Sequence, residues 1–400
     1  MEKFVVLQTR ALRATGFQPR TRAAARAAES IADADVKLET VDASVRDVRD
    51  MGQDPQIRAF APVMQVTLHK PLLAPGAELT STGTTWGIRA VGAQDTPFNG
   101  TGITVAVLDT GIDKSHPAFS GINVVEKDFT QTSNGDGNGH GTHCAGTICG
   151  KPINNLRFGI APGVNKLLAG KVLDNQGGGS TEGIAQGIQW ALDEGAHVVS
   201  LSLGLDFPGF VQRLVQLQDL PIAFATSKAL EGYRANIDLF RAIAELAEAR
   251  AGGGMFQPTI IVAASGNESA HSKGVTFVLT ASPPASAEGI TAVGAVGRAP
   301  AGKLVVADFS NTNVDVCAPG VDITSAKAGG GLVAFSGTSM ATPHVAGVAA
   351  LWAQKLLEQT GTLNTTVLTA KLLASGSLTG LQQPIDFAAV GTGVVQAPRN

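Results

Sequence analysis

The sequence predicts an α/β protein built on a mostly parallel sheet with helices on both faces, preceded by a smaller α/β unit. Two observations carry this expectation. From residue 86 onward, nearly uninterrupted apolar runs alternate with segments of helical periodicity, the pattern of parallel strands buried on both sides. Before residue 72 the segments are shorter and richer in arginine, and a stretch containing Pro75, Gly76 and Gly83 with few charges separates them from the rest. Forty-eight glycines against one tyrosine add an expectation of tight turns and of helices packed closely on the sheet.

In the first unit, 3–8 and 35–41 read as strands and 21–31 as an alanine-rich helix. Residues 43–51 form a short amphipathic helix with Val45 and Val48 three apart. Strands at 57–60 and 64–68 close the set, in the order β-α-β-α-β-β, and 73–85 is a linker. The larger unit, 86–400, opens with the buried strand 103–108. Strands at 167–173, 197–203, 259–264 and 289–296 follow, with a helix at 181–194 and an apolar helix at 345–352. A further helix at 229–250 carries Leu230, Tyr233, Ile237, Phe240, Ile243 and Leu246 at three- or four-residue steps. It is read either as a covering helix or as the wall of a cleft.

Composition narrows the function classes. A net charge of −3 gives no footprint for nucleic acid or an anionic membrane. No apolar run approaches the roughly 20 residues that span a bilayer. Arginines interrupt the apolar start before a signal-peptide core forms, so 3–8 is read as a strand. Three cysteines, Cys144, Cys149 and Cys317, do not make a disulfide framework and fit a reducing compartment, so cytoplasmic residence is expected.

In a parallel sheet the working residues sit in loops at the carboxyl ends of the strands. Asp109 directly follows the strand 103–108; His140 follows a glycine-rich turn and opens a helix of small residues; Ser339 lies just before the apolar helix. Serine needs an imidazole to take its proton, and the imidazole needs a carboxylate to fix its tautomer. The helix N-terminus behind Ser339 offers N–H groups to an oxyanion. The order Asp, His, Ser is the one found in subtilisin. Of the rival carboxylates, Asp113 is expected to cap a turn and Asp136 to sit in a solvated loop. His140 and His143 could be read as a metal pair, but no glutamate or third ligand accompanies them. His143 and His344 are read as packed histidines bonded to backbone, His116 as a turn residue, and Cys144 and Cys149 as buried small hydrophobes.

Four segments resemble the subtilisin family of serine proteases: VLDTGIDKSHP at 107–117, GHGTHCAGT at 139–147, ASGN at 264–267 and GTSMATPHVAG at 337–347. The resemblance implies a three-layer α/β sandwich and hydrolysis of peptide bonds in proteins through an acyl-enzyme, without a cofactor. Asp109, His140 and Ser339 would be the triad, with the Asn267 side chain and the Ser339 N–H as the oxyanion hole. Ser202, Leu203 and Gly204 would form one substrate-binding edge, and Gly177, Gly178 and Gly179 the other, though these glycines also suit a flexible turn. Residues 1–72 resemble the family's propeptide, a small α+β ferredoxin-like domain, with its tail near 72–75 in the cleft, either cut off or retained as an intramolecular regulator. Two departures stand out. Ala118, with Lys151 and Ile153 in the loop 151–155, stands where the resemblance would bring the oxygen ligands of the usual family calcium site. Residues 205–257 form an insertion relative to the minimal domain. A non-catalytic partner-binding protein on the same fold is the alternative function.

Overall fold

The computed structural model describes residues 1–11, 34–73, 82–252, 257–272, 277–299 and 302–399. The helix expected at 21–31 lies outside them. The N-terminal unit holds β1 (Glu2–Ala11), β2 (Ala34–Ala43), α1 (Val45–Met51) and β3 (Ile57–Pro62), with both neighbours antiparallel to a central β1. This is a split β-α-β with a strand seated between its arms, half of a ferredoxin-like order. Ser44 caps α1 by exchanging hydrogen bonds with Asp47. Along β1 the side chains alternate: Phe4 and Val6 pack with Ala43 on the outer face, whereas Val5 and Leu7 join a core shared with the larger unit.

The next strand, β4 (Gln65–Leu68), was expected to close this sheet and does not. It leaves the unit to lie between two strands of the larger domain. β5 (Leu72–Leu73) follows. Nor is the whole stretch after residue 72 a free linker. Residues 74–81 lie outside the described residues, but Gly83–Thr84 pairs in parallel with Leu156–Arg157.

The larger domain continues with β6 (Thr104–Asp109), β7 (Asn123–Asp128), α2 (His140–Cys149), β8 (Lys166–Lys171), β9 (Gly178–Ser180), α3 (Thr181–Asp193), β10 (Val198–Leu201) and β11 (Leu203–Leu205). Then come α4 (Phe207–Gln218), α5 (Ile222–Gly252), β12 (Ile260–Ala264), β13 (Ile290–Arg298), β14 (Leu304–Val306), β15 (Val316–Pro319), β16 (Ile323–Ala326), β17 (Leu332–Ser336), α6 (Thr338–Thr360) and α7 (Thr365–Ala374). The main sheet runs β14-β13-β12-β10-β6-β8-β7 with β15 beside β13, and every pairing but β13 with β14 is parallel. Alternation along β6 divides its two faces. Val105 and Val107 pack into the core under α2 and α6, and Ala106 and Leu108 into the core under α3, α4 and α5. Three layers result, as expected.

The insertion is a helical pair, α4 and α5, and the expected stripe of α5 is buried at Phe240, Ile243 and Leu246 and half-buried at Tyr233 and Ile237. Leu230 departs from it at 41% exposed, and Ala225, Ala229, Gly232 and Asn236 are buried beside it. Small residues are needed there because the N-terminal unit packs on this face: a side chain on Gly232 would meet Pro62 and Met64, and Asn236 Nδ2 donates to Pro62 O at 3.0 Å. Thr40 Oγ1 donates to Glu182 of α3 at 2.8 Å, and Lys228 pairs with Glu2 at 3.3 Å.

Candidate active site

Asp109 ends β6 and His140 opens α2, each 1% exposed. His140 Nδ1 lies 2.8 Å from Asp109 Oδ1 and 3.0 Å from Oδ2. A carboxylate only accepts, so Nδ1 carries the proton and Nε2 is left free to act as a base. Burial alone would lower the pKa of His140; the Asp109 carboxylate outweighs it and holds the imidazole well above its ordinary 6.5.

The two loops are locked together by residues the motifs did not point to. Gly139, at the N-cap of α2, has no side chain to cap with. Asp136 does so instead, accepting from Gly139 N at 2.7 Å, Thr142 N at 2.9 Å and Thr142 Oγ1 at 2.6 Å. It also accepts from Thr110 Oγ1 at 2.9 Å, so it is half-buried and tied to the Asp109 turn rather than solvated. Its position four residues before His140 is a helix-start signal that sequence reading could have used. Lys171, buried at the end of β8, donates to Thr110 O at 2.5 Å and Asn175 Oδ1 at 2.8 Å. Asp113 does cap its turn, accepting from Ser115 N at 3.1 Å.

Ser339 is the second residue of α6, which begins at Thr338, well before the expected 345. Pro343 hides this early start. It has no N–H for the carbonyl four residues back, which is that of Ser339. That oxygen accepts instead from Ser202 Oγ at 3.2 Å and Cys144 Sγ at 3.4 Å. Cys144 is therefore more than a small hydrophobe: its sulfur also lies 3.8 Å from His140 Nδ1. Burial raises its thiol pKa. The expected strand 197–203 breaks at Ser202, whose side chain makes this contact.

The metal-pair reading of His140 and His143 fails on geometry. His143 Nε2 donates to Ile323 O at 2.9 Å, its ring lies against Phe335, and burial pushes its pKa down to about 3. His344 donates to Met340 O at 2.8 Å and is pushed down to about 4. His116 caps its turn and reaches Gly331 O at 2.8 Å.

Asn267 is aimed by its neighbours. Its Oδ1 accepts from Thr338 N at 2.8 Å and Thr338 Oγ1 at 2.9 Å, leaving Nδ2 to face the cleft. Asn311, 2% exposed and unmarked by any motif, holds the same loop through Ser265 O, Ser269 N and Glu268.

The chain itself fills the space between β9 and β11. β4 pairs antiparallel with β9 (Gly178 opposite Thr67, Gly179 opposite Val66) and with β11 (Leu203 opposite Leu68, Gly204 opposite Thr67). Leu68 N donates to Gly177 O at 2.8 Å. Two glycines are required by this fit: a Cβ on Gly204 would sit 2.5 Å from the His69 ring, and one on Gly177, at φ +84°, would sit 2.9 Å from Leu68 Cβ. The strand delivers the His69 carbonyl to Asn267 Nδ2 at 3.4 Å and Ser339 Oγ at 3.5 Å. Ser339 Oγ also reaches Ser202 O at 3.3 Å, and His140 Nε2 is buried without a hydrogen bond among the described residues. Beyond the nucleophile, Leu72 and Leu73 pair with Ser336 and Phe335. The segment at Ser339 is thus 65–69 rather than 72–75.

The Asp–His pair at the carboxyl edge of a parallel sheet, with Ser339 in the first turn of a helix, follows the Asp, His, Ser order found in subtilisin. The profile of the Subtilase family matches residues 100–393, and the chain belongs to that family. Alkaline elastase YaB of Bacillus sp. (strain YaB) is 38% identical over 288 residues, 70% of this chain and 62% of the relative. Subtilisin Savinase of Lederbergia lenta is 36% identical over 278 residues, 68% and 84% of the two chains. Subtilisin-like protease 1 of Arthroderma otae is 34% identical over 319 residues, 76% and 54%. Among the described residues no helix is long and apolar enough to cross a membrane.

Proposed function

We propose that the chain is a serine endopeptidase and that its first substrate is its own bond between His69 and Lys70. One observation carries this: the His69 carbonyl is presented to Ser339 and Asn267 by a strand paired on both sides. Ser339 Oγ attacks the carbonyl carbon of His69 and passes its proton to His140 Nε2, while Asp109 stabilises the imidazolium. The oxyanion is taken up by Asn267 Nδ2 and the Ser339 N–H, a free donor of the first turn of α6. Nε2 then protonates the Lys70 nitrogen as the bond breaks, and water releases the acyl group from Ser339. Residues 1–69 are then an inhibitor whose tail blocks the cleft from the acyl side. A fluorophosphonate should label Ser339 and fail on Ser339→Ala. Intact mass should show a cut after His69 in the wild type and none in Ser339→Ala.

No calcium is proposed at Ala118 and the loop 151–155. Ala118 offers only a methyl group, and its carbonyl already accepts from Lys151 N at 2.9 Å. Three buried free thiols favour a reducing compartment, which subcellular fractionation tests.

A further inference from the structure

Side chains alternate along β4. Val66 and Leu68 enter the core, while Thr67 and His69 border a cavity of about 370 Å³. One end of the cavity is anionic. Glu268 Oε1 lies 3.2 Å from His69 Nδ1, and Asn311 Nδ2 donates to Oε2 at 2.7 Å. Burial would raise the Glu268 pKa, but the bonds from His69 and Asn311 hold it below its ordinary value. The lining also includes the apolar side chains of Phe207, Leu230 and Tyr233 from the helical insertion and Leu279 from a neighbouring loop. Phe207 and Tyr233 meet edge to face at 5.7 Å. An imidazole and a threonine leave this space largely unfilled, and His69 Nε2 is buried without a partner.

We infer that the cavity reads two substrate positions together. It takes a lysine or arginine at P1, the residue whose carbonyl is attacked, and a bulky apolar side chain at P3, two residues before it. The inference rests on the peptidase reading and names its substrate class. Asn311 fixes one carboxylate oxygen of Glu268 and leaves the other to a cation longer than imidazole. The insertion gives the P3 side chain an apolar wall instead of water. Residues 67 and 69 of the chain itself meet neither demand fully, so the self-cleaved segment is a weak occupant that a matched substrate displaces.

The test uses the full chain after self-cleavage, with octapeptides holding leucine at P2 and varying P1 (Lys, Arg, His, Gln, Leu, Phe) and P3 (Gly, Thr, Leu, Phe). Lysine or arginine at P1 with leucine or phenylalanine at P3 should raise kcat/KM roughly tenfold over histidine with threonine. Glu268→Gln should abolish the cation preference and keep that at P3; Leu230→Glu should do the reverse. The Glu268 side chain is 53% exposed and Leu230 41%, so neither change threatens folding. A preference for apolar P1, or ratios unmoved by both variants while Ser339 still labels, overturns the inference and leaves the peptidase standing. No cleavage and no labelling overturns both.

Discussion

At the scale of single residues, the proline in α6 does more than interrupt a ladder. By freeing the Ser339 carbonyl it lets Ser202, before β11, and Cys144, on α2, hold Ser339 from two sides. Removing the Ser202 hydroxyl, as in Ser202→Ala, loses about 1 kcal/mol of positioning. We expect kcat to fall about fivefold with KM little changed, read from steady-state kinetics. The pH profile follows from His140. Its pKa is raised, so it is protonated and cannot accept the serine proton until the pH exceeds that raised value. Activity should therefore be lost as pH falls, with a kcat/KM midpoint above 6.5 and a plateau on the alkaline side. Asp109→Asn removes the charge that raises it, and kcat should drop by about 10⁴. Asp136→Ala uncaps α2 and should cost about 1–2 kcal/mol in denaturant unfolding.

Among the elements, β4 and α5 show where sequence reading ends. The placement of Asp109 at the end of an apolar strand and of His140 and Ser339 at the starts of helices was legible, because each sits at a junction between a turn and a regular element. Residues 64–68 were legible as a strand but not as a cleft strand. Their alternation suits any two-sided strand, and their partners lie more than a hundred residues away. The stripe of α5 was legible at Phe240, Ile243 and Leu246 and incomplete toward its start, where the buried residues are Ala225, Ala229 and Gly232, whose size reports closeness of packing rather than hydrophobicity. Asn311 and Lys171 gave no signal at all, since each acts by bonding backbone that only the fold brings within reach. Gly232→Leu forces a branched side chain against Pro62 and Met64. It should release the N-terminal unit faster after self-cleavage, seen as a shorter lag before peptide hydrolysis at unchanged final rate.

For the whole molecule, two cores share one sheet, and the N-terminal unit contributes Val5, Leu7, Ala61, Met64, Val66 and Leu68 to the second. Its removal uncovers apolar surface on α3 and α5, so the cut enzyme should unfold at a lower temperature than uncut Ser339→Ala in calorimetry.

The chain runs past Ser339 with β4 on one side and β5 on the other. Under the proposed self-cleavage, enzyme and substrate are one molecule, so the local concentration of the His69–Lys70 bond at Ser339 does not depend on how much protein is present. The half-time for its cleavage should stay constant across a hundredfold dilution, whereas every later turnover slows in proportion. A molecule built this way keeps its own clock: the interval between folding and first action is written into one chain and is the same in a crowded solution as in a dilute one.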